Sequence, residues 1–517
     1  MDLGNRNWLG DIECFDERVR RPRDEEELRR ILKDSETNPS PVRPMGSRHS
    51  MTRCMQAKRD GKWGTAVDMR HFTKLGDGTG LRVNQSDEGY TVTVPAGRTF
   101  IEVAHELRDS HGLTFNVITE LGTLTIGAAA CGATKDSSGT GEFGQVCHDV
   151  LEMRLVLPNG EAKKLTREMH GDVFEALCCS YGLLGIVTEV TFRVVPHRYV
   201  SMCHEEIPLE RFAQRTKELL DDGNALFLYM FPFGREPRII AEVRRTVDAE
   251  RSQGHWRLWL RNFFWLWGLH ILVRIPLIRR LVPALVRWFL VRIMHPAAVS
   301  PVDQIVNFRH WSPKFTFSMW AFPKPRFPLI LSEYFKFCRA APKGCGFHTF
   351  LPHVSYHIGQ DRSSLLSYSH DSDVWTLDPI ASGREPGWDA FQNRSPFLDK
   401  FNEECIAKEG KPLFNQTPCL TPGLVGSAFK ERLDRFERIR RYFDPEARML
   451  NDYFVWLLRL ESWLESLQKL DQGAFVGIAQ RGTKLVPPVD DEIRALVERQ
   501  QPVDKGGGLG PEGLRPH

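Results

Sequence analysis

Apolar and polar residues follow two periods along the N-terminal part of the chain, one typical of helices and one typical of strands. Residues 24–34 carry acidic side chains in the first turn and basic ones later, an order that complements a helix dipole, and Pro22 suits the start of that helix. Further helices are predicted over 100–111 and around 172–180. Short runs rich in β-branched and aromatic residues predict strands at 65–69, 90–94, 114–117, 151–157 and 185–195.

This alternation of strands and helices spans roughly 20–196 and predicts an α+β or α/β domain; we expect α+β and place the domain at 1–196. The full chain of 517 residues is too long for one ordinary core, so we expect a second domain over 197–485. The remaining segment, 486–517, is rich in proline and glycine, and we expect a disordered tail there.

One stretch, 122–144, is too rich in Gly, Ala, Ser and Thr to be ordinary core. Small residues let the backbone approach a ligand closely, and free backbone N–H groups can bind a pyrophosphate. The stretch is neither a Walker A loop nor a GxGxxG fingerprint after a strand. Composition alone leaves two interpretations, a phosphate-binding segment and a tightly packed loop.

Charge and cysteine usage exclude several classes of protein. The net charge of +3 gives no reason to expect a nucleic acid partner. The 11 cysteines contain no Cys-x-x-Cys pair, which argues against a structural metal site and against a disulfide framework. The first 17 residues lack the basic and then apolar order of a secretory signal, so we expect a cytoplasmic protein.

The segment 251–302 combines eight arginines with five tryptophans and contains no acidic residue. Its longest uncharged run, 262–273, has 12 residues, fewer than the ~20 that a membrane-spanning helix needs. Apolar faces rich in tryptophan and edged by arginine are typical of helices that lie in a membrane interface and meet anionic headgroups. We therefore expect 255–296 to bind a membrane surface peripherally. The alternative is a helical insertion buried against the second domain or a dimer partner.

Several motifs occur in the order found in one group of flavoproteins. In the N-terminal half they are Asn7-Trp8-x-Gly10, Gly46-Ser-Arg-His-Ser50, Val67-Asp-Met69, Thr91-Val-Thr-Val-Pro-Ala-Gly97, Thr125-Ile-Gly127 and Tyr181-Gly-Leu-Leu-Gly-Ile-Val-Thr-Glu-Val-Thr191. Near the end they are Phe443-Asp-Pro-x-x-Arg448 and Leu450-Asn-Asp452. With these motifs the chain resembles the vanillyl-alcohol oxidase (PCMH) type of FAD-linked oxidoreductase, and within it the aldonolactone and alditol oxidase branch. The resemblance covers about 1–196 and 425–456 and is weak between them.

The resemblance implies a two-lobed FAD-binding domain followed by an α/β substrate (cap) domain, with 251–302 as a basic and aromatic helical insertion. It also implies that 425–456 returns to the flavin domain. The cofactor would be FAD. The flavin-binding positions carried over from the family are Gly46, Ser47, Arg48, His49, Ser50, Gly122, Thr125, Ile126, Gly127, Gly132, Thr134, Ser137, Ser138, Gly185, Ile186, Val187 and Asn451.

In these relatives the histidine of the Gly46–Ser50 turn forms an 8α-histidyl bond to the flavin, so the resemblance implies a covalent bond at His49. Such a substituent withdraws electrons, raises the flavin potential and favours substrate oxidation. The alternative is a noncovalent FAD beside a turn histidine. A second, cysteinyl bond is not expected, because Thr123 takes the place of the cysteine of bicovalent relatives and Cys131 is interpreted as a packing residue.

The chain departs from its relatives inside the Gly-rich stretch, where Lys135 and Asp136 replace a His-Gly pair. A local ion pair and a cation beside the reduced flavin are equally good interpretations.

The chain departs further from these relatives in the segments expected to bind the substrate. Spacing from Asp361 places the family's Glu-x-Arg pair on Val354 and Tyr356, and spacing from Pro412 places its His-Trp-x-Lys run on 413–416. Without those charges, a small lipophilic or lactone-like hydroxyl substrate fits better than a polyol or an anion. The candidate catalytic groups are Tyr356, Asn415 and Gln416, with His353 and His357 as further polar candidates and ordinary strand residues as the alternative.

The leading hypothesis is an FAD-dependent oxidoreductase that removes a hydride from a CH–OH donor. The chain also resembles sterol Δ24-reductases in Leu413-Phe-Asn-Gln416 and Glu120-Leu-x-x-Leu-Thr-Ile-Gly127, so a flavin-dependent alkene reductase is the first alternative. Those reductases lack the histidine of the covalent motif, and His49 therefore favours oxidation. A noncatalytic flavoprotein on a membrane surface is the second alternative.

Overall fold

The computed structural model describes residues 4–135, 144–233, 236–264, 268–272, 275, 277–278, 281–294, 297–304, 314–341, 347, 351–381, 395–461, 464 and 490–499. In the first domain the strands are β1 (Val19–Arg20), β2 (Val42–Met45), β3 (Lys58–Arg59), β4 (Lys62–Trp63), β5 (Thr65–Asp68), β6 (Arg82–Ser86), β7 (Gly89–Pro95), β8 (Leu113–Phe115), β9 (Val150–Val156), β10 (Ala162–Thr166) and β11 (Ile186–Pro196). Its helices are α1 (Glu25–Lys33), α2 (Phe100–Glu106), α3 (Ile126–Cys131) and α4 (Arg167–Leu177).

The first lobe is built on a parallel sheet with the strand order β1-β5-β2. Helix α1 begins after Asp24, whose carboxylate accepts a backbone hydrogen bond from the first turn, and three glutamates follow it. Leu28 and Leu32 of this helix pack on Val42 and Val67 of the sheet. The first lobe is therefore a small layer of helix on sheet, as the acidic-to-basic order of 24–34 predicted.

The second lobe is an antiparallel sheet in the order β10-β9-β11-β7-β6, and β8 also pairs with β11. Strand β11 lies in the middle, where Val190 faces Val94 on one side and Met153 on the other. The predicted α+β, two-lobed first domain is confirmed. The predicted helix over 100–111 begins as α2 and continues as a π-turn over Leu107–His111.

The second domain has more elements. Its strands are β12 (Tyr199–Ile207), β13 (Ala225–Phe231), β14 (Arg238–Val247), β15 (Ala298–Pro301), β16 (Thr316–Phe317), β17 (Trp320–Pro323), β18 (His353–Ile358), β19 (Val374–Leu377), β20 (Ile380–Ala381) and β21 (Lys411–Pro412). Its helices are α5 (Phe212–Asp221), α6 (His255–Phe263), α7 (Leu269–Leu272), α8 (Val282–Trp288), α9 (Phe327–Ala340), α10 (Pro396–Ala407), α11 (Pro422–Phe429), α12 (Glu431–Phe443) and α13 (Asp452–Leu457). Eight strands form one sheet in the order β15-β12-β14-β13-β18-β19-β17-β21.

The chain returns to the first domain after α12. Val42 N donates to Arg448 O at 2.8 Å, and the Arg448 guanidinium donates to the carbonyl of Leu32 at 3.0 Å. Asn451 caps α13 and donates its side-chain amide to three carbonyls of the first lobe. The closing motif of the sequence thus fastens the C-terminal helices to the flavin domain.

The expectation of disorder over all of 486–517 is wrong for residues 490–499. Helix α14 (Asp491–Val497) begins after Asp490, whose side chain accepts a hydrogen bond from Ile493 N, and it buries Ile493 and Val497. Arg438 of α12 pairs with Asp490 at 2.9 Å. An N-cap and an apolar i, i+4 pair outweigh the glycine-rich composition around them. The remainder of that segment lies outside the described residues.

The insertion 251–302 has one face packed on the second domain. Leu258 of α6 and Val282 and Val286 of α8 are buried, and the π-turn over Phe289–Ile293 continues that buried face. The alternative of an insertion packed against the second domain is therefore correct for one side of these helices. Among the described residues, no helix is both long and apolar enough to cross a membrane.

Candidate flavin and substrate site

A cleft that is partly open to solvent lies between the two lobes of the first domain. Twelve of the predicted flavin-binding residues line this cleft. They are Gly46, Ser47, Arg48, His49, Ser50, Thr125, Gly127, Gly132, Thr134, Gly185, Ile186 and Val187. The predicted flavin-binding segments thus meet in one cleft.

Five predicted flavin-binding residues are not among the lining residues. Gly122 supports the cleft wall from behind, where its carbonyl accepts a hydrogen bond from Ile101 N. Ile126 is fully buried at the start of α3, and Asn451 binds backbone carbonyls beneath the cleft. The other two, Ser137 and Ser138, lie outside the described residues.

Twelve further lining residues were not predicted: Arg43, Pro44, Met45, Cys54, Met55, Met69, Ala96, Leu124, Ala128, Cys131, Tyr181 and Gly182. Most of them lie inside or next to a motif named above. Extending each motif by a few residues would have predicted them. Arg43 could not have been predicted in this way. It is a charged residue on strand β2, and only the fold brings it to the cleft.

The turn that carries His49 is held tightly from several sides. A Cβ added to Gly46 would lie 2.1 Å from Thr125 Oγ1, and Arg48 has a φ of 60°, in the left-handed region. Asn7 donates its side-chain amide to Ser50 O at 3.0 Å, and Trp8 N donates to Arg48 O at 2.7 Å. The N-terminal Asn-Trp motif thus serves to clamp this turn.

The His49 ring is buried at the cleft, with 7 % of the residue exposed. Its Nε2 lies 2.9 Å from Thr123 Oγ1, and its centroid lies 5.6 Å from that of Trp8. Ser47 Oγ in turn donates to Thr123 O. The ring is therefore fixed in orientation by Thr123, the residue that stands where bicovalent relatives carry cysteine.

Arg43 and Asn415 line the cleft, and Arg43 Nε and Asn415 Oδ1 are buried with no hydrogen-bond partner among the described residues. Arg43 donates its other nitrogens to the carbonyls of Met449, Cys54 and Tyr181, and burial lowers the pKa of its guanidinium to about 10. Buried polar atoms rarely stay unsatisfied. A donor and an acceptor that both line the cleft fit the polar groups of FAD.

The thiols near the cleft are poor nucleophiles. Burial raises the pKa of Cys131 to about 12, and it also raises the pKa of Cys54. Thiolates are therefore scarce at neutral pH. This agrees with the interpretation of Cys131 as a packing residue.

On the substrate side, Asn415 and Gln416 line the cleft, whereas Tyr356 does not. Tyr356 lies on β18 and donates its phenolic hydroxyl to the carboxylate of Glu120. Its ring also faces Lys135, whose Nζ is 3.6 Å from the ring centroid. Two of the three candidate catalytic residues thus reach the cleft directly, and the third contacts the segments that extend from it.

Lys135 forms an ion pair with Asp378, at 2.9 Å between Nζ and Oδ2, and both side chains are buried. Burial raises the pKa of Asp378, and Lys135 opposes that rise. Asp136, the neighbour considered as a partner from sequence, lies outside the described residues.

The remaining polar candidates face away from the cleft. His353 is fully buried, and its Nδ1 is hydrogen-bonded to the Tyr334 hydroxyl. His357 packs against Trp375 with 5.3 Å between ring centroids. Burial lowers the pKa of His357 from 6.5 to about 4; Lys324 lowers it further and Asp373 opposes both.

An ion cluster lies in the middle of the eight-stranded sheet. Fully buried Glu242 of β14 accepts hydrogen bonds at 2.8 Å from Arg244 and from Arg261, the latter on insertion helix α6. His204 and Tyr229 complete the shell at 3.1 and 2.8 Å. Burial alone would raise the pKa of Glu242, but these two arginines hold it well below its usual range. At least one insertion arginine is therefore a core residue.

Sequence comparison identifies two families along the chain. An FAD binding domain family matches residues 17–166, and the D-arabinono-1,4-lactone oxidase family matches residues 190–457, more than half of the chain. The first match covers most of the cleft, and the second covers the sheet that carries Tyr356 and the loop with Asn415 and Gln416.

Individual relatives agree with this division. A Neurospora crassa protein with the provisional name D-arabinono-1,4-lactone oxidase is 24% identical over 99% of this chain and 92% of its own. An L-gulono-1,4-lactone dehydrogenase from Mycobacterium tuberculosis is 22% identical over 86% of this chain and 97% of its own.

Among solved structures, cholesterol oxidase from Brevibacterium sterolicum shares the fold with a TM-score of 0.67, covering 88% of this chain and 96% of that enzyme at 15% sequence identity. The resemblance inferred from the motifs and the FAD assignment are both confirmed, and the matches do not favour a Δ24-type reductase. The chain is an FAD-dependent oxidoreductase and belongs to the D-arabinono-1,4-lactone oxidase family.

Proposed function

We propose that this enzyme oxidises a hydroxyl-bearing carbon of a small lactone-like substrate to a carbonyl. The observation that carries the proposal is the family match over residues 190–457, the half of the chain that forms the substrate side. FAD, when bound, supplies the hydride acceptor. Replacement of the family's charged positions by Val354, Tyr356 and 413–416 favours a substrate without an anionic group, and therefore a lactone over its open-chain acid.

The chain's own residues have separable roles in this proposal. Arg43 and the small residues of the cleft hold the cofactor, with Arg43 Nε available to a polar group of it. The amides of Asn415 and Gln416 reach the cleft and orient the substrate hydroxyl. Tyr356 lies beyond them and serves as the acid/base group.

An anaerobic screen tests this proposal. The purified holoenzyme is mixed with D-arabinono-1,4-lactone, L-gulono-1,4-lactone, cholesterol, other lipophilic alcohols and, separately, NADPH. We expect a lactone to bleach the flavin absorbance and NADPH alone to leave it unchanged. Bleaching by NADPH and by none of the alcohols would contradict the proposal and indicate a reductase.

We further propose that FAD is attached covalently to His49. The support is the position of this imidazole in the Gly46–Ser50 turn, buried in the cleft wall and fixed by Thr123. Acid precipitation of the wild type should leave yellow protein, whereas His49→Ala should release its flavin to the supernatant. His148→Ala, a histidine outside the cleft lining, is the matched control and should keep its flavin. Flavin that stays bound to precipitated His49→Ala would exclude this attachment site.

We propose, finally, that the outer face of the insertion binds an anionic membrane surface. Nine of the eleven most exposed large apolar residues of the described ranges lie in this insertion. They are Trp256, Trp259, Phe263, Ile271, Ile275, Leu277, Leu281, Leu285 and Trp288. Apolar clusters of this kind on a soluble surface mark an interaction site.

The charges around this face favour lipid over a second protein. The insertion contains eight arginines and no carboxylate, so its net charge is positive. Arg257 lies 5.1 Å from the Trp256 ring, an arrangement that suits a headgroup above an inserted indole. Arg261 and Arg287 are exceptions, because they pair with Glu242 and Glu206 of the second domain.

Vesicle flotation separates these possibilities. We expect the wild type to float with phosphatidylcholine–phosphatidylserine vesicles, and the triple variant Trp256→Ala, Trp259→Ala, Trp288→Ala to bind at least about tenfold more weakly, because three exposed indoles no longer bury. Trp456→Ala is the matched control, since Trp456 is 45% exposed but lies outside the insertion. Equal flotation of the triple variant and the control would contradict the proposal.

A further inference from the structure

Glu120 has a position that neither the motifs nor the family matches assign to a function. It lies in the segment that continues through Thr123 to the cleft residues Leu124 and Thr125. Its carboxylate accepts the hydrogen bond from the hydroxyl of Tyr356, 236 positions later in the chain. Glu120 therefore connects the cleft wall of the first domain to the substrate side of the second.

The surroundings of Tyr356 fix the phenol in one orientation. Its backbone N donates to Thr376 Oγ1 at 3.0 Å, and Phe227 packs edge-on with 4.8 Å between ring centroids. Lys135 covers a face of the ring and follows the cleft residue Thr134 directly. Both segments that reach Tyr356 from the first domain are thus extensions of the cleft.

The charges behind Glu120 compensate its carboxylate. Arg244 lies 3.8 Å away and is itself buried, and it shares Glu242 with Arg261. Two guanidinium groups therefore face two carboxylates. The Glu120 side chain is 19% exposed whereas Tyr356 is 5% exposed, so Glu120 is the member of the pair that solvent reaches.

We propose that Glu120 is the proton acceptor behind Tyr356 in the oxidation reaction, an inference that rests on the proposed function. As the substrate carbon gives up a hydride with its electron pair, the hydroxyl proton passes to Tyr356 Oη and the phenolic proton passes to Glu120. The C–O bond becomes a carbonyl, bound FAD would supply the acceptor for the two electrons, and Glu120 later returns the proton to water. Glu120 acts through Tyr356 and is a positioning and proton-accepting residue rather than a group that touches the substrate.

Glu120→Gln tests this role, because the amide still accepts the Tyr356 hydrogen bond but cannot take the proton. We expect anaerobic flavin reduction by the lactone to slow about 100-fold, in the range of general base catalysis, with the pH dependence of that rate abolished. Flavin content and the dissociation constant of an unreactive lactone analogue, read from the flavin absorbance, should stay within about threefold. Glu120→Asp should recover part of the rate, and Glu88→Gln, an exposed matched control, should behave as wild type.

Two measurements keep the inference falsifiable if Glu120→Gln binds flavin poorly. Time-resolved infrared difference spectra of the wild type during anaerobic reduction should show a transient carboxylic acid C=O band that shifts in Glu120→Asp. The double variant Glu120→Gln, Tyr356→Phe should be no slower than its slower single variant. A fast Glu120→Gln with the wild-type pH profile, or spectra without that band, would overturn the inference while leaving the proposed function intact. A wild type that no lactone reduces would instead overturn the proposed function.

Discussion

The cleft of the first domain and the sheet of the second domain differ in the types of residue that form them. Half of the residues that line the cleft are small, and Gly46, Gly127 and Gly132 allow close approach. The sheet buries charges instead, with Glu242 at its centre and Lys135 paired to Asp378 at its edge. Short motifs mark the backbone positions of the cleft, whereas the buried Lys135–Asp378 pair joins residues 243 positions apart. Sequence motifs therefore predict the cofactor, whereas the substrate has to be inferred from contacts between side chains.

The largest effect should come from breaking the ion cluster of the sheet. Arg261→Met removes one of the two guanidinium groups that bind Glu242 and leaves the buried carboxylate undercompensated. We expect a loss of roughly 3–5 kcal/mol in the free energy of unfolding, measured by urea denaturation. Arg245 is an exposed residue on β14, the strand that carries Glu242. Arg245→Met should change that free energy by less than about 0.5 kcal/mol. Equal stabilities of the two variants would show that Arg261 is not a core residue.

A smaller effect should appear in the pH dependence of the second domain. The folded state holds His357 neutral down to a pKa of about 4, whereas the unfolded chain takes up the proton near pH 6.5. The folded state is therefore fully stabilised above pH 6.5 and loses roughly 3 kcal/mol as the pH falls to about 4. Denaturation at a series of pH values should show His357→Gln losing less stability across this window than wild type. Exposed His111→Gln should keep the wild-type dependence, and an unchanged slope in His357→Gln would refute the assignment.

The cleft should respond to a single added methyl group. In Gly46→Ala the new Cβ would meet Thr125 Oγ1 at 2.1 Å, so the turn must move away from the cofactor. In a His49→Ala background, where flavin is free to exchange, we expect FAD affinity to fall about 30-fold, or about 2 kcal/mol. Isothermal titration with FAD measures this loss. Gly76→Ala adds its methyl group to open space and should not alter the affinity.

The smallest effect on stability should come from the exposed tryptophans of the insertion. Trp256 and Trp259 are 57% and 62% exposed, so replacement by alanine should change the free energy of unfolding by no more than about 0.5 kcal/mol each. Thermal unfolding of the variants checks this. A large destabilisation would mean that these side chains pack within the fold, and it would remove the argument for a membrane-binding face.

The parts that were predictable from the sequence are those governed by local backbone chemistry. The Gly46–Ser50 turn and the middle strand β11 follow from short motifs, because glycine and β-branched residues constrain the chain where they stand, whereas helix α3 inside the Gly-rich stretch was not predicted. Contacts between distant segments were not predictable in the same way. Lys135 meets Asp378 243 residues away, and Arg43 reaches Met449 across 406 residues. The fold alone brings these groups together.

The insertion also has a feature that its sequence could not predict. Its composition predicted an interfacial face, and the exposed indoles agree with that prediction. Composition did not distinguish Arg261, which is buried, from Arg257, which lies beside an exposed tryptophan. That distinction depends on the carboxylate of Glu242, which belongs to a strand outside the insertion.

The central claim is that this FAD-dependent enzyme oxidises a lactone-like alcohol, and one anaerobic titration tests it most directly. Substoichiometric D-arabinono-1,4-lactone is added to the oxidised holoenzyme while the flavin absorbance is followed, and the product is identified by mass spectrometry. We expect one flavin reduced per lactone consumed and a product lighter by two hydrogen atoms. A flavin that stays oxidised with every lactone and alcohol, yet is reduced by NADPH alone, would contradict it.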